Sequence, residues 1–157
     1  MNYTKRRNTG FTLVELMIVI AIIGLIAVVS IPGYTRFRQS WKLNGETQQF
    51  ASALRTARGT AVMKNIDVVF TFDIDHDTYS YFEDTNRNGS LDNNEYMSST
   101  YELSPGIEIA AHTFSSAILT FGSKGNTRQS GSITIRNSYN NTKRIRVFGG
   151  TGNINVE

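Results

Sequence analysis

Gly10-Phe11-Thr12-Leu13-Val14-Glu15 opens an apolar run, FTLVELMIVIAIIGLIAVVSIP, that extends from Phe11 to Pro32 and decides how the chain is built. Glu15 is the single ionisable residue in that run. A helix of this length rises ~30 Å, enough to cross a bilayer core. Lys5, Arg6 and Arg7 stand just before it. They favour holding the extreme N-terminus in the cytoplasm, which puts the rest of the chain outside. A carboxylate at membrane depth is costly and needs a partner. Cleavage after Gly10 would create an amine on Phe11, within a turn of Glu15 along the helix. A neighbouring subunit offers the same amine. An ordinary signal anchor leaves Glu15 unexplained. A cleaved secretory signal does not fit either, since the run is long and no small-x-small site follows it.

Gly10-Phe11-Thr12-Leu13-Val14-Glu15-Leu16 resembles the class III signal of type IV pilins and type II secretion pseudopilins. The resemblance implies that a prepilin peptidase cuts between Gly10 and Phe11 and methylates the new amine. It implies that Glu15 guides subunit docking into a helical filament. It implies a single pass through the bacterial inner membrane, with the C-terminal domain periplasmic or extracellular in the filament. Gly24 and Pro32 stand where that family often has helix-loosening residues.

At 157 residues the chain holds one anchor and one modest domain. The expected organisation is a leader over 1–10, a transmembrane helix over 11–32, an amphipathic helix over 33–64 and an antiparallel β domain over 65–157. About 90 residues bury a small core and no more. There is no cysteine, so no disulfide holds the domain, and a bound metal is one alternative staple.

The sequence pI of 9.3 invites a nucleic-acid reading. The count undercuts it: of 16 Lys and Arg, three leave with the leader, and the 13 that remain match the 13 Asp and Glu. The charges are nevertheless segregated. Residues 65–110 carry ten acids and one base, Arg87, whereas residues 111–157 carry six bases and one acid, Glu157. Such asymmetry steers partners or simply solvates a surface.

Beyond Gly33 the pattern turns amphipathic. Leu43, Phe50, Leu54, Ala57 and Ala61 fall on one helix face. Phe37 and Trp41 lie on another side among Arg36, Arg38 and Lys42; Trp41 suits a membrane interface, a neighbouring subunit or its own core. Pro32 predicts a kink or an unwound stretch. Gly45 is a weak point without being a sure break. After Asn65 the period becomes alternating. Strands are expected at Val68–Phe72 and Thr78–Phe82, joined by an Asp73–Asp77 turn. Further strands are expected at Tyr96–Leu103, Ile107–His112, Ile118–Phe121, Ser132–Arg136, Arg144–Phe148 and Asn153–Val156. The fold class is α+β: a long N-terminal helix packed on an antiparallel β-sheet.

Leu54-Arg55-Thr56-Ala57-Arg58-Gly59-Thr60-Ala61 resembles the helix end of H-type pseudopilins and of FimT/FimU-type minor pilins. Phe121–Gly125, Gly131–Ile135 and Arg144–Val147 resemble their closing strands. One departure counts: DNA-binding members carry Gly-Arg-x-Arg near the end, and here the matching place reads Gly152-Asn153-Ile154-Asn155.

A second motif is Asp84-Thr85-Asn86-Arg87-Asn88-Gly89-Ser90-Leu91-Asp92-Asn93-Asn94-Glu95. It fits the twelve-residue EF-hand calcium loop at every oxygen-bearing position. Asp84, Asn86 and Asn88 would turn oxygens inward and Gly89 would make the sharp turn. Ser90 would give its carbonyl, Asp92 would act directly or through water, and Glu95 would bind with both oxygens. The flanks read as strands, so the expectation is a structural Ca²⁺ site and not a sensor that opens a helix pair. The alternative is an ordinary Asn/Gly-rich hairpin loop.

The function that follows is a structural subunit, a minor pilin or pseudopilin. Its expected partners are other pilins, the prepilin peptidase and the inner membrane. An enzyme is not expected: there is no cysteine nucleophile, no glycine-rich phosphate loop, and only His76 and His112 as candidate bases. A DNA-binding minor pilin using the basic 111–157 segment is the alternative, which the missing arginines weaken.

Overall fold

The computed structural model describes residues 10–157. All of the expected leader except Gly10 lies outside that range. The chain divides into two compact units, one ending at Phe37 and one running from Arg38 to Glu157. Helix α1 (Leu13–Lys64) comes first. Eight strands follow: β1 (Asp67–Asp73), β2 (Thr78–Asp84), β3 (Tyr101–Glu102), β4 (Ile107–His112), β5 (Ile118–Phe121), β6 (Gly131–Asn137), β7 (Thr142–Phe148) and β8 (Asn153–Val156).

The helix starts where Thr12 can cap it. The Glu15 amide donates to Thr12 Oγ1 at 3.2 Å, and the Leu16 amide to the Thr12 carbonyl at 3.2 Å. Thr12-x-x-Glu15 therefore has the spacing of a capping box, with the acid in the first turn, where the helix dipole favours it. The backbone stays helical through Gly24, Pro32 and Gly45, so the unwound stretch expected at Pro32 does not form. One missing amide donor does not unravel a helix whose flanking turns keep their own bonds. In the first unit the described apolar side chains from Leu13 to Val28 are exposed. An 18-residue window there has mean hydropathy 2.9, long and apolar enough to cross a membrane.

In the second unit the amphipathic reading holds residue by residue. Leu43 is 3% exposed, and Phe50, Leu54, Ala57 and Ala61 are fully buried. Thr47 on the same face is buried too, its hydroxyl donating to the Leu43 carbonyl at 2.6 Å. Trp41 is 70% exposed, which removes it from the core. The helix ends at Asn65, a residue with φ 55. There the Ile66 amide reaches back to the Ala61 carbonyl at 3.2 Å, which satisfies one orphan acceptor.

The strands form two antiparallel four-stranded sheets, β3-β2-β1-β5 and β4-β6-β7-β8. Alternation works as expected: Ile133 and Ile135 of β6 and Ile145 and Val147 of β7 face inward and are fully buried. Helix and both sheets share one hydrophobic cluster. Its centre is aromatic. The Phe50 ring lies 4.4 Å from Tyr79 and 5.4 Å from Phe70, centroid to centroid. Burial, then the neighbouring Glu46 and Tyr101, push the Tyr79 phenol up to about 12.

One strand differs. Of the expected Tyr96–Leu103 only Tyr101–Glu102 is strand, and Met97 makes an isolated bridge to Phe82. The Ser98 hydroxyl explains the interruption: it accepts the Tyr81 amide at 3.0 Å, so a side chain occupies a place the ladder would use.

Candidate functional site

Two sequence-predicted sites lie within the described residues. At the start of α1, Gly10, Phe11 and Glu15 are all exposed, and Phe11 is 81% exposed. The Glu15 amide is used by the Thr12 cap, but its carboxylate has no ion-pair partner among the described residues.

The second site is the 84–95 loop, which leaves β2 at Asp84 and returns at Glu95. Asp84 is only 2% exposed. Its two carboxylate oxygens accept the amides of Asn88 at 3.0 Å and Gly89 at 2.8 Å. Gly89 has φ +78 and Arg87 φ 61, so the sharp turn falls where the loop pattern needs it. The Asn86 side-chain oxygen accepts the Asn88 amide at 3.0 Å, and the Asn88 oxygen accepts the Ser90 amide at 2.7 Å. The NH₂ ends of Asn86 and Asn88 both donate to Asp92 Oδ2, at 2.7 and 2.8 Å. Glu95 closes the loop. Its Oε1 accepts the Thr85 amide at 2.7 Å and the Thr85 hydroxyl at 2.9 Å, and its Oε2 accepts the Asp92 amide at 3.1 Å.

Partial desolvation pulls the Glu95 carboxyl up, but the Asp92 and Thr85 donors outweigh it and leave it below the ordinary carboxylate value. The six expected ligands thus lie in one loop, each engaged with a neighbour. Among the described residues no group of three or more His, Cys, Asp or Glu stands close enough together to hold a metal ion. The three carboxylates of Asp84, Asp92 and Glu95 therefore do not converge on one point in this arrangement.

Sequence reasoning missed Arg87. It sits inside the loop and reaches out of it, with its guanidinium 3.8 Å from Asp67 and donating to the Asn65 carbonyl at 3.5 Å. The loop is thereby tied to the end of α1 and the start of β1. Sequence reasoning also missed Lys64, which donates to both oxygens of the nearly buried Glu83 at 2.7 and 2.8 Å. Nothing in the local pattern marks either pair, because the partners meet only once β2 lies beside β1. Asp73-Asp75-His76 forms a turn, as expected, with the His76 ring 2.7 Å from Asp73.

Arg58 and Arg55 show why the helix motif Leu54–Ala61 is built as it is. Arg58 donates to the Gly125 carbonyl at 2.8 Å and the Thr151 carbonyl at 3.0 Å, and Arg55 to the Ile154 carbonyl at 3.3 Å. One helix face holds the hairpin after β5 and the β7–β8 turn. Gly152 closes that turn with φ +63, and Asn153 and Asn155 follow it.

This architecture is known elsewhere. The minor pseudopilin EpsH of the type 2 secretion system of Vibrio cholerae superposes with TM-score 0.59 at 15% identity, over 74% of this chain and 96% of that one. The type IV minor pilin FimU of Pseudomonas aeruginosa superposes with TM-score 0.60 at 14% identity, over 77% of this chain and 92% of that one. Likeness at that identity is a likeness of fold. In sequence, a fimbrial protein of Pseudomonas aeruginosa is 40% identical over 64 residues, 41% of each chain. The type IV major pilin protein PilA of Myxococcus xanthus is 48% identical over 52 residues, 33% of this chain and 23% of that one. The match spans less than half the length of these curated relatives. Residues 5–31 match the prokaryotic N-terminal methylation motif. Since residues 46–151 match the type II transport protein GspH, most of the second unit and the sheets that define it, the chain belongs to the GspH family.

Proposed function

We propose that this chain is a structural subunit, a minor pseudopilin or minor pilin, of a filament anchored in the bacterial inner membrane and serving type II secretion or type IV piliation. The observation that carries the reading is the start of α1. A methylation motif, an exposed apolar helix and one carboxylate without an ion-pair partner among the described residues occur together there. An exposed apolar stripe of this length needs lipid or other helices around it. An acid within it needs a cation. A filament of like subunits supplies both, because each neighbour presents an apolar helix and a Phe11-type amine. The globular domain then faces the periplasm or exterior.

The test is the N-terminus of the protein extracted from membranes. The expected product starts at a methylated Phe11. An intact leader in cells with active prepilin peptidase would sink the reading. Duplex DNA is not the expected partner, and salt-dependent binding of DNA by the purified protein would favour the DNA-uptake alternative instead.

Within this role the 84–95 loop takes Ca²⁺ as a folding staple after export. What supports this is the ligand spacing, the positive φ at Gly89 and the Gly89 amide already on Asp84. Binding requires the carboxamides of Asn86 and Asn88 to turn their oxygens inward and Glu95 to release Thr85. Extracellular loops of this type bind at ~0.1–1 mM, so the exterior fills the site and the cytoplasm does not.

A further inference from the structure

Beside the end of α1 lies a cleft of about 260 Å³ between the start of β1, the hairpin after β5 and the 84–95 loop. Arg87, Lys124 and Arg128 converge on it, with Ser123 and Asn126 as polar wall and Asp67 as its only acid. Asp67 is engaged by Arg87. Lys124 and Arg128 are exposed and have no hydrogen-bond or ion-pair partner among the described residues. The hairpin that carries them is held in place. The Gly122 amide donates to the Asn126 carbonyl at 2.9 Å, the Gly125 amide to the Gly122 carbonyl at 2.7 Å, and Arg58 fixes Gly125 from the helix.

We propose that this cleft is a docking site for a single carboxylate presented by the globular domain of a neighbouring pilin-like subunit; the proposal rests on the filament reading above. Three cations around one acid leave an uncompensated positive field that an anion would neutralise. The surroundings choose the kind of anion. Arg87, which lines the cleft, belongs to the loop that also carries Asp84, Asp92 and Glu95. An extended polyanion such as duplex DNA that grips Arg87 has to share its loop with those acids. One Asp or Glu side chain, or a chain-terminal carboxylate, enters the cleft without meeting them. Arg128 and Lys124 then bind it at an interface rim, where such charges set partner choice and orientation more than affinity.

The experiment uses the full chain, and lysine acylation read by mass spectrometry is its measure. Lys143 on β7 serves as internal control. We expect Lys124 to be several-fold less reactive in assembled filaments than in the detergent-solubilised subunit, with Lys143 changing less. A zero-length carbodiimide, which condenses an amine with a carboxylate, should join Lys124 to an Asp, a Glu or a chain terminus of another pilin-like subunit. Arg128→Glu should cut that cross-link several-fold while the melting temperature stays unchanged. Equal reactivity of Lys124 in both states, or a cross-link that survives Arg128→Glu at full yield, overturns the proposal. Protection of Lys124 by duplex DNA on the purified chain overturns it in favour of a polyanion site. Failure of the chain to enter filaments at all, seen in fractionation, would count against the filament reading itself.

Discussion

Gly152 has no room for a side chain. A Cβ there would collide with the Gly125 carbonyl oxygen and press on Arg58, and φ +63 disfavours any L residue besides. Gly152→Ala is expected to cost on the order of 1–3 kcal/mol, read as a fall in denaturation midpoint of residues 38–157. An unchanged midpoint would show that the turn adapts. Phe50→Ala removes the ring at the centre of the core and should cost about 3–5 kcal/mol in the same assay. Glu15 behaves in the opposite way. Glu15→Leu should insert into membranes at least as well as the original chain, since it removes a charge from an apolar helix. It should nevertheless fail to enter filaments. Normal filament incorporation of Glu15→Leu would remove the docking role from this residue. The burial of Phe50 was legible in the sequence, because Phe50 falls on the apolar face of its helical pattern. Arg87 and Lys64 were not, because their partners Asp67 and Glu83 arrive through strand pairing and leave no trace in local spacing.

At the scale of elements, helix and hairpins were legible wherever one face is buried. The buried side of α1 follows from spacing alone, and β4, β5 and β8 begin and end where alternation begins and ends. The strand beyond Tyr96 failed because a serine hydroxyl replaced a ladder partner, an event that alternation does not encode. The 84–95 stretch stands out in the sequence as an oxygen-rich pattern around a glycine, but its network of amide donors does not. Thermal melts of residues 38–157, which contain the whole core cluster, separate the two readings. With calcium at a hundredfold excess over Kd the gain is ~2.7 kcal/mol, seen as a raised melting temperature that chelator abolishes. Glu95→Ala should lose the response. Equal melting with calcium and with chelator would leave a hairpin turn and nothing more.

The two turns also fix a pH dependence. Desolvation raises the Glu95 carboxyl and its hydrogen bonds lower it further, to a net value below 4.5. Its contribution is thus complete above pH 4.5 and lost as pH falls through the lowered value. The hydrogen bond to Asp73, followed by that residue's charge, raises His76 above 6.5. Its contribution is complete below pH 6.5 and lost as pH rises through the raised value. Both contributions are therefore complete between pH 4.5 and 6.5, and each fades on its own side of that window. Melts across pH check this, and His76→Ala should flatten the alkaline limb and also soften the acid limb, because the His76 hydrogen bond is the main cause of the lowered Asp73 carboxyl.

For the whole molecule, the segregation of acids and bases along the sequence becomes spatial. Of the ten acids of 65–110, all but Glu108 lie on the sheet that carries β1 and β2 or on its turn and loop, and many of the bases of 111–157 lie, with Glu108, on the second sheet. That second sheet pairs some of its charges internally, Arg136 with Glu108 and Arg146 with Glu157. The cleft cations stand apart from this neutralisation. The fold was legible as a class because the N-terminal motif and the change of period together leave few alternatives. The division into two sheets was not legible, since strand order depends on contacts far apart in sequence.

The arginine grip of the helix has one more consequence, in time. Arg55 closes on a carbonyl 99 residues later, and Arg58 on one 93 residues later. A ribosome delivers the helix first and β8 last. Through that interval the stripe from Leu43 to Ala61 has none of its final cover from β6, β7 and β8, and contacts this distant close slowly. The newborn chain therefore passes through a period in which its best helix is also its most exposed apolar surface. A protease or a holding chaperone has its opportunity then, and the arrival of Ile154 ends it.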